Sequence, residues 1–222
     1  MTKAIRDRYD ACHEKCLPDQ ERCLNSSFFW ASLSNTIPCT CWALMHLSHN
    51  LEMQDEIYSQ LPADRLTREA VNKIPLLDGV VQEVLRLYFD GFLFRIISDP
   101  NGADFVDSEG KSHHLSGTVK GYPRIYHLNE KYFQNANQFN PRRWTDTEMG
   151  QKKNKLFSFG GGVSMCAGRL FVVAEIKMFI AVFCSTFRFY SHDPMPKPGP
   201  TKGGFGIAIP ESEIKISFER RQ

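Results

Sequence analysis

The sequence predicts a mainly helical fold carrying a small β-sheet, and three observations lead there. Leu77, Val80, Val81, Val84, Leu85 and Tyr88 recur at the spacing of one helix face. No Asp, Glu, Lys or Arg interrupts the chain between Arg22 and Glu52, a stretch long enough for one extended helix. Between Phe92 and Tyr126 the pattern changes to short apolar runs separated by Asn101-Gly102, Glu109-Gly110 and Ser116-Gly117, which reads as brief strands and tight turns.

In chain order, residues 23–49 read as one long central helix. Pro38 within it lacks an N–H, frees the carbonyl of Ser34 and predicts a kink. Residues 51–60 read as a short second helix with an acidic first turn, stopped by Pro62. Pro75 suits the start of the amphipathic helix 76–88. After the strands, a loop rich in Asn, Pro and Arg runs to about Lys155. Residues 157–187 then form one unit, a glycine-rich loop and a helix from about Ala167 to Phe187. The tail from Pro194 reads as turns and a terminal hairpin. With no repeat and no low-complexity segment, residues 1–222 are expected to form one domain or part of a larger one.

Composition narrows the function. The chain has 222 residues, 42% hydrophobic and 23% charged, enough apolar material for a sizeable core. Its net charge of +2 comes from interspersed acids and bases with no basic block, so nucleic acid is set aside as a partner. Seven cysteines lie scattered without paired zinc spacing, which favours a reducing, intracellular setting. Met1 to Arg8 is charged, and no signal region or membrane anchor directly follows it. The uncharged stretch 23–51 could cross a bilayer by length, but Asn25, Ser26, Ser27, Ser32, Ser34, Asn35 and Thr36 favour a buried helix beside a polar site. Leu170 to Phe187 carries Glu175 and Lys177 near its middle and reads as a core helix with one solvated edge.

The segment with the most chemistry runs from Phe159 through Gly160-Gly161-Gly162-Val163-Ser164-Met165 to Cys166-Ala167-Gly168. A cysteine just before a helix start, wrapped by glycines, can receive backbone N–H groups and the positive end of the helix dipole, and both favour thiolate over thiol. Glycines also let backbone approach a flat macrocycle. A glycine turn holding an inert, buried cysteine would read the same way.

This segment resembles the signature of the cytochrome P-450 superfamily: Phe, two residues, Gly, one residue, Arg or His, one residue, Cys, one residue, Gly. The matches are Phe159, Gly162, Cys166 and Gly168; Ser164 departs where an Arg or His would reach a heme propionate. The resemblance implies the C-terminal, proximal part of that fold, heme as cofactor and Cys166 as the axial thiolate. Two further motifs precede it in the expected order. Glu83 and Arg86 stand three apart on one helix face, by themselves an ordinary surface pair. Phe139-Asn140-Pro141-Arg142-Arg143-Trp144 is similar to the segment whose Arg completes a buried structural triad, here Glu83, Arg86 and Arg143. Arg95 and His127 fall where the family has a propionate-binding Arg and a His after the small sheet.

On the oxygen side, the family's helix carries an acid and a Thr that help deliver protons to dioxygen. Here Ser34 replaces the acid and Asn35 the Thr, followed by Thr36, and these two are the candidate catalytic residues. Asn35-Thr36 with Pro38 and Trp42, and the closing Lys202-Gly203-Gly204-Phe205-Gly206-Ile207, resemble the branch of steroid 7α- and 12α-hydroxylases and prostacyclin synthase. The resemblance implies a monooxygenase acting on a lipophilic substrate such as a sterol or fatty acid, served by an NADPH reductase at the endoplasmic reticulum, although this chain shows no anchor. It covers the chain from about Ser27, while a complete member is roughly twice this length, so the N-terminal half of the fold is expected to be missing. A non-catalytic fragment or interaction module, and a peroxide-rearranging isomerase, remain the alternatives.

Overall fold

The computed structural model describes residues 29–145, 156–201 and 206–221. Helices dominate, and three two-stranded antiparallel sheets attach to them. The expected helix 23–49 is instead two pieces. Residues 29–33 are helical, Ser34 and Asn35 form a turn, and α1 runs Thr36–Ser48; residues 23–28 lie outside the described residues. Pro38 is the cause, since it cannot donate to the carbonyl of Ser34 and its ring crowds that carbonyl. Bonds from Ser34 N to Trp30 O (2.9 Å) and from Thr36 Oγ1 to Ser32 O (2.7 Å) hold the two pieces together across the break.

Helix α2 (Leu51–Ser59) is capped by Asn50, whose side chain accepts from Met53 N, and α3 (Arg68–Asn72) by Thr67. Helix α4 (Pro75–Tyr88) starts with proline at its first turn and is buried along most of its length. Strand β1 (Leu93–Ile96) pairs with β4 (Thr118–Gly121), and β2 (Ala103–Val106) with β3 (Ser112–Leu115). The expected small sheet is therefore two separate strand pairs, β2–β3 nested between β1 and β4 in chain order. Short α5 (Pro123–His127) and a 3-10 turn at Pro141–Trp144 follow. Helix α6 (Arg169–Thr186) passes directly into β5 (Phe187–Tyr190).

The tail departs from expectation. Residues 197–199 do pair with residues 209–211, through Gly199 N to Ile209 O and Glu211 N to Lys197 O. The last strand, β6 (Ser217–Arg220), leaves that arm and pairs with β5. The other edge of β5 is met by a side chain: buried Gln54 donates to Phe189 O (2.6 Å) and accepts from Phe189 N (3.1 Å).

The core forms where α1, α4 and α6 pack together, around Trp42, Leu47, Leu77, Val84, Ile176 and Ile180. Trp42 stacks on Tyr88 at 3.7 Å between ring centroids, and the Tyr88 hydroxyl pairs with His46. On α6 Glu175 keeps the solvated edge, but Lys177 does not. Lys177 is buried and reaches Asp78 (2.7 Å) and Asn72 (3.3 Å), while Phe171, Phe179 and Val182 are exposed beside an apolar hollow of about 740 Å³. A buried ammonium needs a carboxylate more than an aromatic ring needs cover. Among the described residues, no helix is long and apolar enough to cross a membrane.

Gly79 on α4 faces the 3-10 turn so closely that a Cβ there would lie 2.4 Å from the carbonyl oxygen of Pro141. Alanine gains at most about 1 kcal/mol of helix propensity over glycine, against about 1–3 kcal/mol for overpacking on rigid backbone. Gly79→Ala is therefore expected to lower the stability measured by urea unfolding, and an unchanged or raised midpoint would contradict this packing.

Candidate functional site

Glu83 projects from α4 into a dry interior, with no exposure to solvent. Its carboxylate accepts from Arg86 Nε (2.9 Å) and Nη2 (2.8 Å), a bidentate pair, and from Arg143 Nε (3.0 Å). Trp144 Nε1 (2.8 Å) and the backbone N–H of Asn140 (3.0 Å) complete the set. Both guanidiniums spend their remaining N–H groups on main-chain carbonyls: Arg86 on His127 and Ala136, Arg143 on Gln134. The three residues thus sit together, and the cluster nails the irregular segment 127–144 to α4. Trp144 and the Asn140 N–H were not anticipated; their nearness to Arg143 in the sequence was the signal available.

The glycine loop leaves this cluster through His127. Its ring is buried, its Nε2 accepts from Phe157 N (3.1 Å), and its own carbonyl is held by Arg86. An N–H pointing at Nε2 requires the neutral Nδ1–H tautomer. Burial, then the charges of Arg86 and Arg124, hold the His127 ring down to about 4. One residue on, Ser158 Oγ donates to Leu85 O of α4 (3.0 Å).

The chain then turns through Gly160 and Gly162, whose φ values of 75° and 60° suit glycine. It returns so that Cys166 N donates to Phe159 O (2.8 Å). Cys166 is exposed at the mouth of this loop, two residues before Gly168 caps α6. Phe159 is half-buried against the core, and Arg95 on β1 donates to Gly161 O (2.7 Å) at the loop's rim. Ser164 lies in the turn Gly162–Ser164, exposed.

Facing Cys166 are Ala31, Asn35, Thr36 and Cys39, across a cleft of about 170 Å³ that Phe159, Val172, Ile176 and Ile207 also line. The cleft alone is below the range of small-molecule sites. It shares Phe159 with a neighbouring hollow of about 720 Å³ and Ile207 with another of about 490 Å³. Thr36 Oγ1 has given its proton to Ser32 O, so only its lone pairs face outward. Asn35 Oδ1 accepts from Ile207 N (3.0 Å). Ser34 Oγ, where the family has an acid, is buried without a partner among the described residues. The closing motif falls partly at 202–205, outside the described residues.

The cysteines differ in what they can offer. Burial pushes the Cys39 thiol up to about 12, helped by Cys41, and burial does the same at Cys184. Those sulfurs stay protonated, whereas Cys166 is exposed on the loop. No group of three or more His, Cys, Asp or Glu that could hold a metal gathers among the described residues, so a metal at Cys166 would take its other ligands from a prosthetic group. The loop leaves room for one: a Cβ at Gly161 or Gly162 would meet nothing within 4 Å, so the backbone there faces open space that a flat group could approach.

An exposed cysteine on a glycine-rich turn, with a broken helix lining the same cleft, is the arrangement at this site. The chain belongs to the cytochrome P-450 family, whose model matches residues 14–218. It is 27% identical to cholesterol 7-alpha-monooxygenase of Cricetulus griseus, over 87% of this chain and 44% of the relative. It is equally identical to 7-alpha-hydroxycholest-4-en-3-one 12-alpha-hydroxylase of Homo sapiens, with the same coverage. Against lanosterol 14-alpha demethylase of Eremothecium gossypii it is 27% identical over 82% of this chain and 38% of the relative. The chain therefore spans less than half the length of these relatives.

Two outcomes are expected from this geometry. Glu83→Ala leaves two buried cations without their anion, a loss of about 3–5 kcal/mol for a broken buried pair. Equilibrium unfolding should show a poorly folded variant, and a stable Glu83→Ala protein would place the pair at the surface. His127 has a depressed folded value, so its contribution is complete above the unfolded value near 6.5 and is lost as pH falls to about 4. About 3 kcal/mol of stability should disappear across that window, and His127→Asn should flatten that part of the stability profile.

Proposed function

We propose that this chain is the thiolate-bearing part of a monooxygenase that hydroxylates a lipophilic substrate such as a sterol or fatty acid, with dioxygen and electrons from an NADPH reductase. One observation carries the reading: Cys166 and the pair Asn35-Thr36 line facing walls of one cleft. The sterol-oxidising relatives supply the substrate class, and the family supplies heme, the lipophilic substrate and the redox partner in general terms.

In this reading Cys166 is the axial thiolate, and Phe159, Gly162 and Gly168 shape the cradle around it. Arg95, which donates to Gly161 O at the rim, would pair with a propionate. Glu83, Arg86 and Arg143 are structural. Heme, when bound, supplies activation of dioxygen for insertion of one oxygen atom into a carbon–hydrogen bond. The residues of this chain hold and exclude. Thr36, its proton already committed to Ser32 O, accepts a hydrogen bond from a group in the cleft, while the Nδ2 amide of Asn35 can donate one. Residues 1–222 are on this view a partial domain, and the exposed Phe171, Phe179 and Val182 of α6 are surface that the remainder of the fold would cover.

A second reading is a peroxide-rearranging isomerase. It is favoured by Ser34 standing in the acid's place while the Thr36 proton points back into its own helix. Turnover of a lipid peroxide without any reductase would select it.

The test is reconstitution with heme, using the chain alone and joined to an upstream half from a relative. The reduced carbonyl complex should show the red-shifted Soret band of thiolate ligation. Cys166→Ala should abolish that band, while Cys39→Ala and Cys41→Ala should keep it. A thiolate band surviving in Cys166→Ala would refute the assignment.

A further inference from the structure

The side chain of Asn35 is occupied in a way its place in the motif does not suggest. Its Oδ1 accepts the Ile207 N–H at 3.0 Å, joining residues 172 positions apart. Gly206 has a φ of 103°, and a Cβ there would lie 1.9 Å from that same oxygen, so the asparagine carbonyl fills the space a side chain would need. On the other side of the tail, Gly206 O accepts from Asp90 N (2.7 Å) and Ala208 N donates to Tyr88 O (2.8 Å). Residues 206–208 are thus clamped between the helix break and the end of α4. Ile207, at the middle of the clamp, is the wall shared by the cleft at Cys166 and the apolar hollow lined by Trp30, Leu33 and Ile209.

We propose that Asn35 is a positioning residue: its side-chain carbonyl holds the Gly206–Ile207 backbone at the helix break and so fixes Ile207 as the partition between the apolar hollow and the Cys166 cleft. The inference rests on the lipophilic-substrate reading, which it deepens, because the partition sets how far an elongated apolar ligand reaches toward Cys166. The break that Pro38 opens is what frees Asn35 for this role, since a continuous helix would carry its side chain past the tail. A bulky, rigid ligand and a thin, flexible one then respond differently to the position of Ile207. In this role Asn35 acts through Ile207, separately from any hydrogen bond that its Nδ2 donates into the cleft.

Hydrogen exchange on the 222-residue chain, read at the Ile207 amide, tests the latch without any cofactor. Asn35→Ala should speed exchange there by about tenfold, the loss of one protecting hydrogen bond, while the Cys166 and Asn140 amides keep their protection. Asn35→Asp keeps an acceptor and should restore it. Gly206→Ala, which leaves Asn35 in place but pushes its oxygen aside, should behave as Asn35→Ala does. If Asn35→Ala loses protection along the whole chain, Gly206→Ala decides by the same reading. The partition is read with two probes, dehydroergosterol by energy transfer from tryptophan and laurate by its displacement. The sterol-to-laurate affinity ratio should shift several-fold in Asn35→Ala and Gly206→Ala and return in Asn35→Asp. Unchanged Ile207 exchange in both variants overturns the latch; faster exchange with an unchanged ratio overturns the partition. Failure of the parent chain to bind either probe sinks the lipophilic reading, and the exchange result still stands or falls separately.

Discussion

Five N–H groups converge on the two oxygens of Glu83, from Arg86 twice, Arg143, Trp144 and the Asn140 backbone. A carboxylate removed from water is tolerable only when so fully compensated, and removing any donor exposes the cost of the rest. The segment 127–144 has little regular structure to hold it; Arg86 and Arg143 give it main-chain partners at His127, Gln134 and Ala136. From His127 the support passes to Phe157 and so into the loop that presents Cys166. A charged cluster is thereby the foundation of the loop that carries Cys166.

Support from the opposite side is of another kind. The wall facing Cys166 is made by a helix that fails at Ser34–Asn35, and the failure is useful because it lets the Asn35 side chain leave the helical pattern. Thr36 turns inward to stitch the two pieces, while Asn35 turns outward to the tail. The cleft is accordingly bounded by one layer tied through charge and another tied through a single amide. The first layer is expected to fail all at once and the second locally, which is the usual contrast between a buried ionic network and one peripheral hydrogen bond.

Much of this was legible in the residues. Period, proline and glycine placed α4, the kink and the cysteine loop, while the spacing of Glu83 and Arg86 alone read as a surface pair and only the family resemblance pointed to a buried cluster with Arg143. What escaped has a common cause: contacts between segments far apart in sequence. Nothing local announces that Gln54 will bond Phe189, that β6 will desert its hairpin for β5, or that Asn35 will meet Ile207. Lys177 misled because a charge in a helical pattern reads as a solvated face, and only the fold shows Asp78 across from it. Gly79 carried a signal, a glycine in the middle of an otherwise strong helix, whose meaning needed Pro141 beside it.

The Gln54 side chain also closes a border. Strand β5 has β6 on one side, and on the other the N–H and C=O of Phe189 face the buried interior, where no water can pair them. By supplying one carbonyl and one amide at the right height, Gln54 imitates a single residue of a neighbouring strand and stops there. A methionine of similar length at that position would keep the volume and leave the Phe189 N–H and C=O unpaired inside the core, so one amide carries the hydrogen bonding of that border.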